Sequence, residues 1–326
     1  MSMTRYSEEL VTIVAHLYYV EGLTQKAIAE RVKLSRPAVV RVLQRARDLD
    51  IVEVRIKRPV PGITEDELEL ERRFGLRIAR VVPTDLTPEK TLDSIGKTGA
   101  EVLESLIQTG SRIGVAWSRT VHAILPHSRR PKPHIECIVN EIAGTYLDAS
   151  IPYGVSWQLS EILGVPLQSI PVPILVKNSE VRKTMLKEQV IARAAKNASQ
   201  VDFAIVGLGD TTRDSSLVGS GHIGPADLRE LRERRAAGEI VARFYDIEGA
   251  RIRMSFDDRV VALKWDEIKR IPLVIAMAYG PSKVEPIIGA LRGRIIQGLI
   301  TDRVTAEAVL AANKSFSEPK VYMKQR

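Results

Sequence analysis

Between Leu23 and Ile56 the chain reads LTQKAIAERVKLSRPAVVRVLQRARDLDIVEVRI, and few folds accept two short amphipathic segments, a tight break and an alternating tail in that order. Thr24 is placed to N-cap a helix running to about Val32, with Ala27, Ile28 and Val32 at helical spacing as its inward face. Lys33 and Leu34 make the break. Ser35 caps a second helix, Pro37 sits in its first turn where a missing N–H is harmless, and Val39, Val40 and Leu43 supply its apolar stripe. Arg36, Arg41, Gln44, Arg45 and Arg47 fall on the other face, and no acidic residue occurs from Ser35 to Arg47. Val52, Val54 and Ile56 then alternate with Glu53 and Arg55, the period of a half-buried strand. This order predicts a winged helix-turn-helix, which lays its second helix in the major groove of double-stranded DNA. Thr24, Gln25, Ser35, Arg36, Arg41, Gln44 and Arg45 are the residues expected at that interface, with Arg41, Gln44 and Arg45 reaching bases and Arg36 a phosphate.

A helical hairpin with a solvated basic face is the plainer alternative, since charge runs commonly face water. The charge balance favours the nucleic-acid reading: residues 1–58 hold 11 Lys and Arg against 7 Asp and Glu, half of the chain's net charge of +8. With 326 residues there is room for a small head and a larger domain. The single cysteine, Cys137, stands in an apolar run, so a buried thiol is expected and neither an intrachain disulfide nor a Cys/His metal site. No apolar run is long enough to span a membrane and the N-terminus lacks a signal peptide's core, so a cytoplasmic protein with no membrane partner is expected.

Arg58, Pro59, Pro61 and Gly62 punctuate the chain where the wing should end. The expected division is a head over residues 1–58, a linker over 59–62 and a second domain over 63–326. Thr64 caps a predicted helix from Glu65 to Phe74, and this helix with the linker would connect the two. Beyond it, apolar runs alternate with helical patterns. Strands are expected at Ile78–Pro83, Arg112–Trp117, Ile135–Ile142, Leu167–Val176, Val201–Gly207, Ile240–Asp246, Pro272–Ala278 and Ile295–Thr301. Helices are expected at Pro88–Ile107, Arg119–Leu125, Glu180–Ala198, Ser282–Leu291 and Thr305–Ala312. Such alternation predicts a doubly wound α/β domain around a parallel sheet.

Ligands of such sheets bind beyond the carboxyl ends of the strands, where helix N-termini offer free N–H groups. In IGVAWSRTV, Ser118, Arg119 and Thr120 provide two hydroxyls and a cation. In AIVGLGDTT, Gly207 and Gly209 permit close backbone approach and Asp210 brings a carboxylate. In IAMAYGPSKVEPI, Ser282 is placed to cap a helix whose first turn holds Lys283. A lysine there opposes the helix dipole unless an anion shares the site. Asp246 in VARFYDIEG is either a turn residue before Gly249 or a ligand for sugar hydroxyls, and Glu141 in VNEIAGT is a further hydroxyl-binding candidate.

The segments LYYVEGLTQKAIAERVKLSRPAVVRVLQRARDLDIVEVRI, IGVAWSRTV, VGLGD, GEIVARFYDIEG and IPLVIAMAYGPSKVEPIIGALRGRIIQGLITDRVTAEAVL together resemble the SorC/DeoR-type sugar-binding transcriptional regulators over nearly the whole chain. The resemblance implies a winged helix-turn-helix followed by an effector domain with the NagB-like fold of sugar-phosphate isomerases and deaminases. It implies a homo-oligomer, dimer or tetramer, whose operator affinity follows a phosphorylated sugar or polyol. The phosphate would lie near Ser118, Arg119, Thr120 and Lys283, with Asp246 facing the sugar, and no cofactor or metal is implied. Two departures matter. Ser118 stands where many members carry glycine, and Ile142 stands where some relatives hold a lysine that forms a Schiff base, so no covalent imine is expected there.

The main rival is a sugar-phosphate isomerase or deaminase with a DNA-binding head. Enzymes of the NagB type resemble one another in an acidic residue followed by Gly-His soon after the GxG turn. Here VGLGD leads into TTRDSS and His222 arrives only in GSGHIG, so that pattern is broken. A purely architectural nucleic-acid binder would leave the large α/β domain without a role. The expectation is therefore a regulator of a sugar or polyol operon, not an enzyme.

Overall fold

Three hydroxyl caps start the helices of the first compact unit, Met1–Pro61. Ser7, Thr24 and Ser35 each accept the N–H three residues on, at 3.3 Å, and open α1 (Glu8–Tyr19), α2 (Gln25–Arg31) and α3 (Arg36–Asp48). The computed structural model describes residues 6–49, 51–52, 64–131, 135–145, 154–212, 215 and 223–312. The predicted wing beyond Val52, the predicted linker 59–62 and His222 lie outside the described residues. Lys33 takes the left-handed conformation (φ 55°) and Leu34 N–H returns to the Ala29 carbonyl at 2.9 Å, which closes α2 within one residue and turns the chain into α3.

The core of this unit joins Val11, Val14 and Leu17 to Ile28 and to Val39, Val42, Leu43 and Ala46. Two inward assignments are corrected. Val40 is 46 % exposed and Val42 is buried, because a stripe through positions 39, 42, 43 and 46 leaves 40 about 110° round the helix, outside it. On α2 it is Ala29 that is buried, while Ala27 is only partly so.

The second unit, Gly62–Arg326, opens with α4 (Glu65–Phe74), β1 (Ile78–Val82), α5 (Pro88–Leu106), β2 (Ser111–Val115), α6 (Arg119–His122) and β3 (Cys137–Glu141). It continues through α7 (Val155–Leu163), β4 (Leu167–Gln168), α8 (Ser179–Met185), α9 (Gln189–Ala198), β5 (Phe203–Gly207) and α10 (Pro225–Glu233). Then come β6 (Gly238–Ile240), β7 (Arg243–Tyr245), β8 (Arg251–Ile252), α11 (Trp265–Ile268), β9 (Val274–Met277), α12 (Val284–Arg292), β10 (Gly298–Asp302) and α13 (Arg303–Ala312). Seven strands form one parallel sheet in the order β1-β10-β9-β5-β2-β3-β4. Apolar side chains cover both faces: Phe203 and Ile205 belong to one core cluster, Ala204 and Val206 to the other. The winding direction reverses between the adjacent, non-consecutive β2 and β5, which opens a crevice beyond their carboxyl ends.

The edge strand β1 is closed off by α4. Thr64 and Glu67 form a capping box, and the second Glu67 oxygen accepts Val81 N–H at 2.7 Å while Glu71 accepts Ala79 N–H at 3.0 Å. Three predicted elements differ. Leu167–Val176 pairs in the sheet only at Leu167 and Gln168, since Pro171 and Pro173 remove ladder donors. Glu180–Ala198 is split into α8 and α9 by i to i−3 bonds from Lys187 and Glu188. Ile240–Asp246 is no parallel strand: β6, β7 and β8 make a small antiparallel sheet, with Val241 and Ala242 at φ 53° and 56° in the β6–β7 turn.

Candidate functional site

A cavity of about 560 Å³ occupies the crevice beyond β2 and β5. Ser118, Arg119, Thr120, Glu141, Gly207 and Lys283, predicted from separate loops, all line it. Ser118 caps α6, its Oγ accepting Val121 N–H at 2.9 Å, and lies 3.0 Å from Thr120 Oγ1. Thr120 donates its proton to the Met277 carbonyl at 2.7 Å, so Ser118 is the donor between the two hydroxyls. Both protons are thus engaged within the protein. Gly207 lies under this pair: a Cβ there would stand 2.4 Å from Ser118 Cβ and 2.5 Å from its Oγ. The close approach that glycine permits is to Ser118.

Lys283 reaches into the cavity with Nζ 2.6 Å from Asp210 Oδ2, which also accepts the Ser282 hydroxyl at 3.2 Å. Ser282 was expected to cap a helix. Instead it sits in a 3-10 turn, Pro281–Lys283, and α12 starts without a side-chain cap. The anion sharing Lys283's site is the protein's own carboxylate. Burial opposes ionisation of Asp210, but the hydrogen bonds from Lys283 and Thr212 outweigh it and hold the carboxyl below its ordinary range. Glu141 spends both oxygens on its own chain, accepting the Ser156 hydroxyl at 3.0 Å and Ile170 N–H at 2.7 Å. Arg119 is exposed at the rim.

Asp246 is not in the cavity. Its Oδ1 accepts Glu248 N–H at 3.0 Å and Ala250 N–H at 2.8 Å, which makes it the turn residue before Gly249. The acid that this segment does contribute is Glu239, half-buried in the cavity wall, accepting Ala242 N–H and paired by backbone to Gly209. Burial pushes its carboxyl up to about 7, against the Ala242 bond and Lys283. The available signal was an acid set between Gly238 and Ile240 in an otherwise apolar run. Trp117, Leu92, Val155 and Tyr279 give the cavity an apolar wall, and Tyr279 donates to the Pro88 carbonyl at 3.1 Å. Among the described residues no group of three His, Cys, Asp or Glu is arranged to hold a metal, and no helix is long and apolar enough to cross a membrane.

In the first unit, Thr24 and Ser35 use their hydroxyls as caps. Arg36, Arg41 and Gln44 are exposed on one face of α3, whereas Arg45 is half-buried. Arg47 joins that face, donating to Gln44 Oε1 at 2.6 Å and to the Tyr19 hydroxyl at 3.0 Å. Gln25, Lys26, Tyr18 and Arg36 border a shallow cleft beside it.

A family model described as "Putative sugar-binding domain" matches residues 58–311. The chain is 31% identical over 307 residues to the "Transcriptional regulator LsrR" of Klebsiella pneumoniae, covering 93% of each chain. It is 28% identical to the "Deoxyribonucleoside regulator" of Bacillus subtilis, covering 94% of this chain and 99% of that one. Among solved structures, the full-length sorbitol operon regulator SorC of Klebsiella pneumoniae superposes with a TM-score of 0.72 at 27% identity, over 94% of this chain and 100% of that one. The chain belongs to the SorC/DeoR-type family of sugar-binding transcriptional regulators.

Proposed function

We propose that this protein is a transcriptional regulator that binds operator DNA through the α2–α3 helix-turn-helix, completed by a wing, and senses a phosphorylated sugar or polyol in the β2/β5 cavity. The observation that carries the reading is the union in one chain of an exposed helix face with no acidic residue from Ser35 to Arg47 and a switch-point cavity with a lysine, paired hydroxyls and half-buried carboxyls. Relatives matched over nearly their full length carry regulator names, which supports the same reading. The effector's anion would exchange with Asp210 at Lys283, and Glu239 would accept sugar hydroxyls. The protein acts in the cytoplasm as a homo-oligomer on a palindromic operator, and the effector shifts DNA affinity by binding the competent and incompetent assemblies differently. The test is footprinting on the DNA upstream of its own gene with sugar phosphates and their parent sugars. Protection altered by a sugar phosphate and not by its parent sugar is the expected result, and a footprint indifferent to every sugar phosphate overturns the sensing role.

One observation favours a second reading, an isomerase- or deaminase-like enzyme: a carboxyl titrating near neutrality in a ligand-sized cavity is what a general base requires. NMR of a bound sugar phosphate over time separates the two, since a sensor leaves the spectrum unchanged.

A further inference from the structure

On the polar face of α3 one side chain does not belong with its neighbours. Val40 is 46 % exposed, although its helix already buries Ala38, Val39, Val42, Leu43 and Ala46 on its inward face. Arg36 and Pro37 precede it by four and three positions, Arg41 follows, and Gln44 lies four positions on, all exposed. The valine therefore sits in the middle of the face, framed by cations and an amide. A β-branched residue is a poor choice for an exposed helix position on propensity grounds, and this one is not among the residues of the buried core. The surrounding surface points to a polyanion as the occupant: from Ser35 to Arg47 there are four arginines and no carboxylate.

The floor of the DNA major groove presents one apolar group, the C5-methyl of thymine, among hydrogen-bonding edges. We infer that Val40 reads a thymine methyl, while Gln44 one turn further along, its Oε1 held by Arg47, reads an adjacent base pair. This rests on the DNA-reading role proposed above and adds to it the base identity at the centre of each half-site, an A·T pair in fixed orientation. Arginine and glutamine readers leave that orientation open at Val40's position; a methyl contact settles it.

The experiment uses the full chain and the tightest duplex selected from a random pool, with each thymine replaced in turn by deoxyuridine, which lacks only the methyl. Fluorescence anisotropy should show a loss of about three- to tenfold at one thymine per half-site, as expected for one to two methyl-sized contacts. Val40→Ala should lose the same factor on the parent duplex and be indifferent to uracil at that position. Circular dichroism should show the variant fully helical, because the residue lies outside the buried core and alanine is a better helix former than valine. A flat uracil series, a Val40→Ala protein that still senses the same methyl, or a Val40→Ala protein whose oligomeric state has changed in sedimentation each overturns the assignment. Arg41→Ala keeps this failure distinct from that of the parent reading. If Arg41→Ala weakens the selected duplex while the uracil series is flat, only Val40's role falls. If Arg41→Ala binds selected and random DNA as the wild type does, the major-groove reading of α3 falls with it.

Discussion

Glu239→Gln tests the electrostatics of the cavity without introducing a new shape. The glutamine amide keeps a carbonyl oxygen for Ala242 N–H, the bond that ties residue 239 to the strained turn at Val241 and Ala242. What it removes is a titration. The carboxyl is raised from 4.5 to about 7, first by burial. A folded-state value above the unfolded one stabilises the fold fully below the unfolded value, and that contribution is lost as pH rises through the folded value. The loss approaches about 3 kcal/mol by pH 8, at 1.36 kcal/mol per unit. The variant should therefore gain about 2–3 kcal/mol on the wild type between pH 5 and pH 8, or roughly 5–10 °C in melting temperature for a domain of this size. All three tryptophans, Trp117, Trp157 and Trp265, lie in the second unit, so selectively excited tryptophan fluorescence follows its unfolding alone. Titrating groups that do not interact with Glu239 cancel in the difference. A wild-type-minus-variant difference that stays flat from pH 5 to 8 would falsify the claim that Glu239 is held in a desolvating wall.

Gly207→Ala drives a methyl into Ser118, so unfolding should show a loss of about 1–3 kcal/mol, and the variant's calorimetric response to sugar phosphates should fall with it. Glu67→Ala breaks the α4 capping box and strands the buried Val81 N–H, and urea denaturation should show a loss of about 2–4 kcal/mol, whereas Thr64→Ala should cost only about 1. Lys283→Met should abolish the calorimetric preference for a phosphorylated over a free sugar; equal preference in wild type and variant removes Lys283 from the anion site.

Much of the parallel sheet and all three cavity loops were legible because each rests on local chemistry. Apolar runs such as FAIVG and VIAM have no other stable place than a doubly covered sheet, and caps such as Ser35 and Thr64 mark helix starts directly. What failed depends on long-range partners. Nothing near Asp246 in sequence distinguishes a carboxylate facing a ligand from one folded onto its own turn. Glu239 became visible as a site residue only when the β6–β7 hairpin was seen to lie against Gly209. A lysine facing a helix dipole at position 283 signals a nearby anion, but sequence does not reveal that the anion is Asp210, 73 residues away. A run of two valines at 39 and 40 satisfies a helical stripe in either of two phases, and only the packing of α3 against α1 and α2 chooses between them.

The charge inventory of the cavity bears on which effectors it can take. Arg119 and Lys283 bring two cations; Glu141, Asp210 and Glu239 bring three carboxyls, of which Glu239 is about half protonated at neutral pH. In the proposed reading an incoming monophosphate meets a lysine whose charge is already matched, so it must displace Asp210 from a 2.6 Å contact and leave that carboxylate to Thr212 and Ser282. Two consequences follow from this exchange in the proposed reading. Binding is weaker than a bare lysine would give, because the protein's own carboxylate competes for it. On that reading a second phosphate would find only Arg119, at the exposed rim, as a remaining cation among the described lining residues and carboxyls elsewhere along the wall, so a bisphosphate would bind more weakly than a monophosphate.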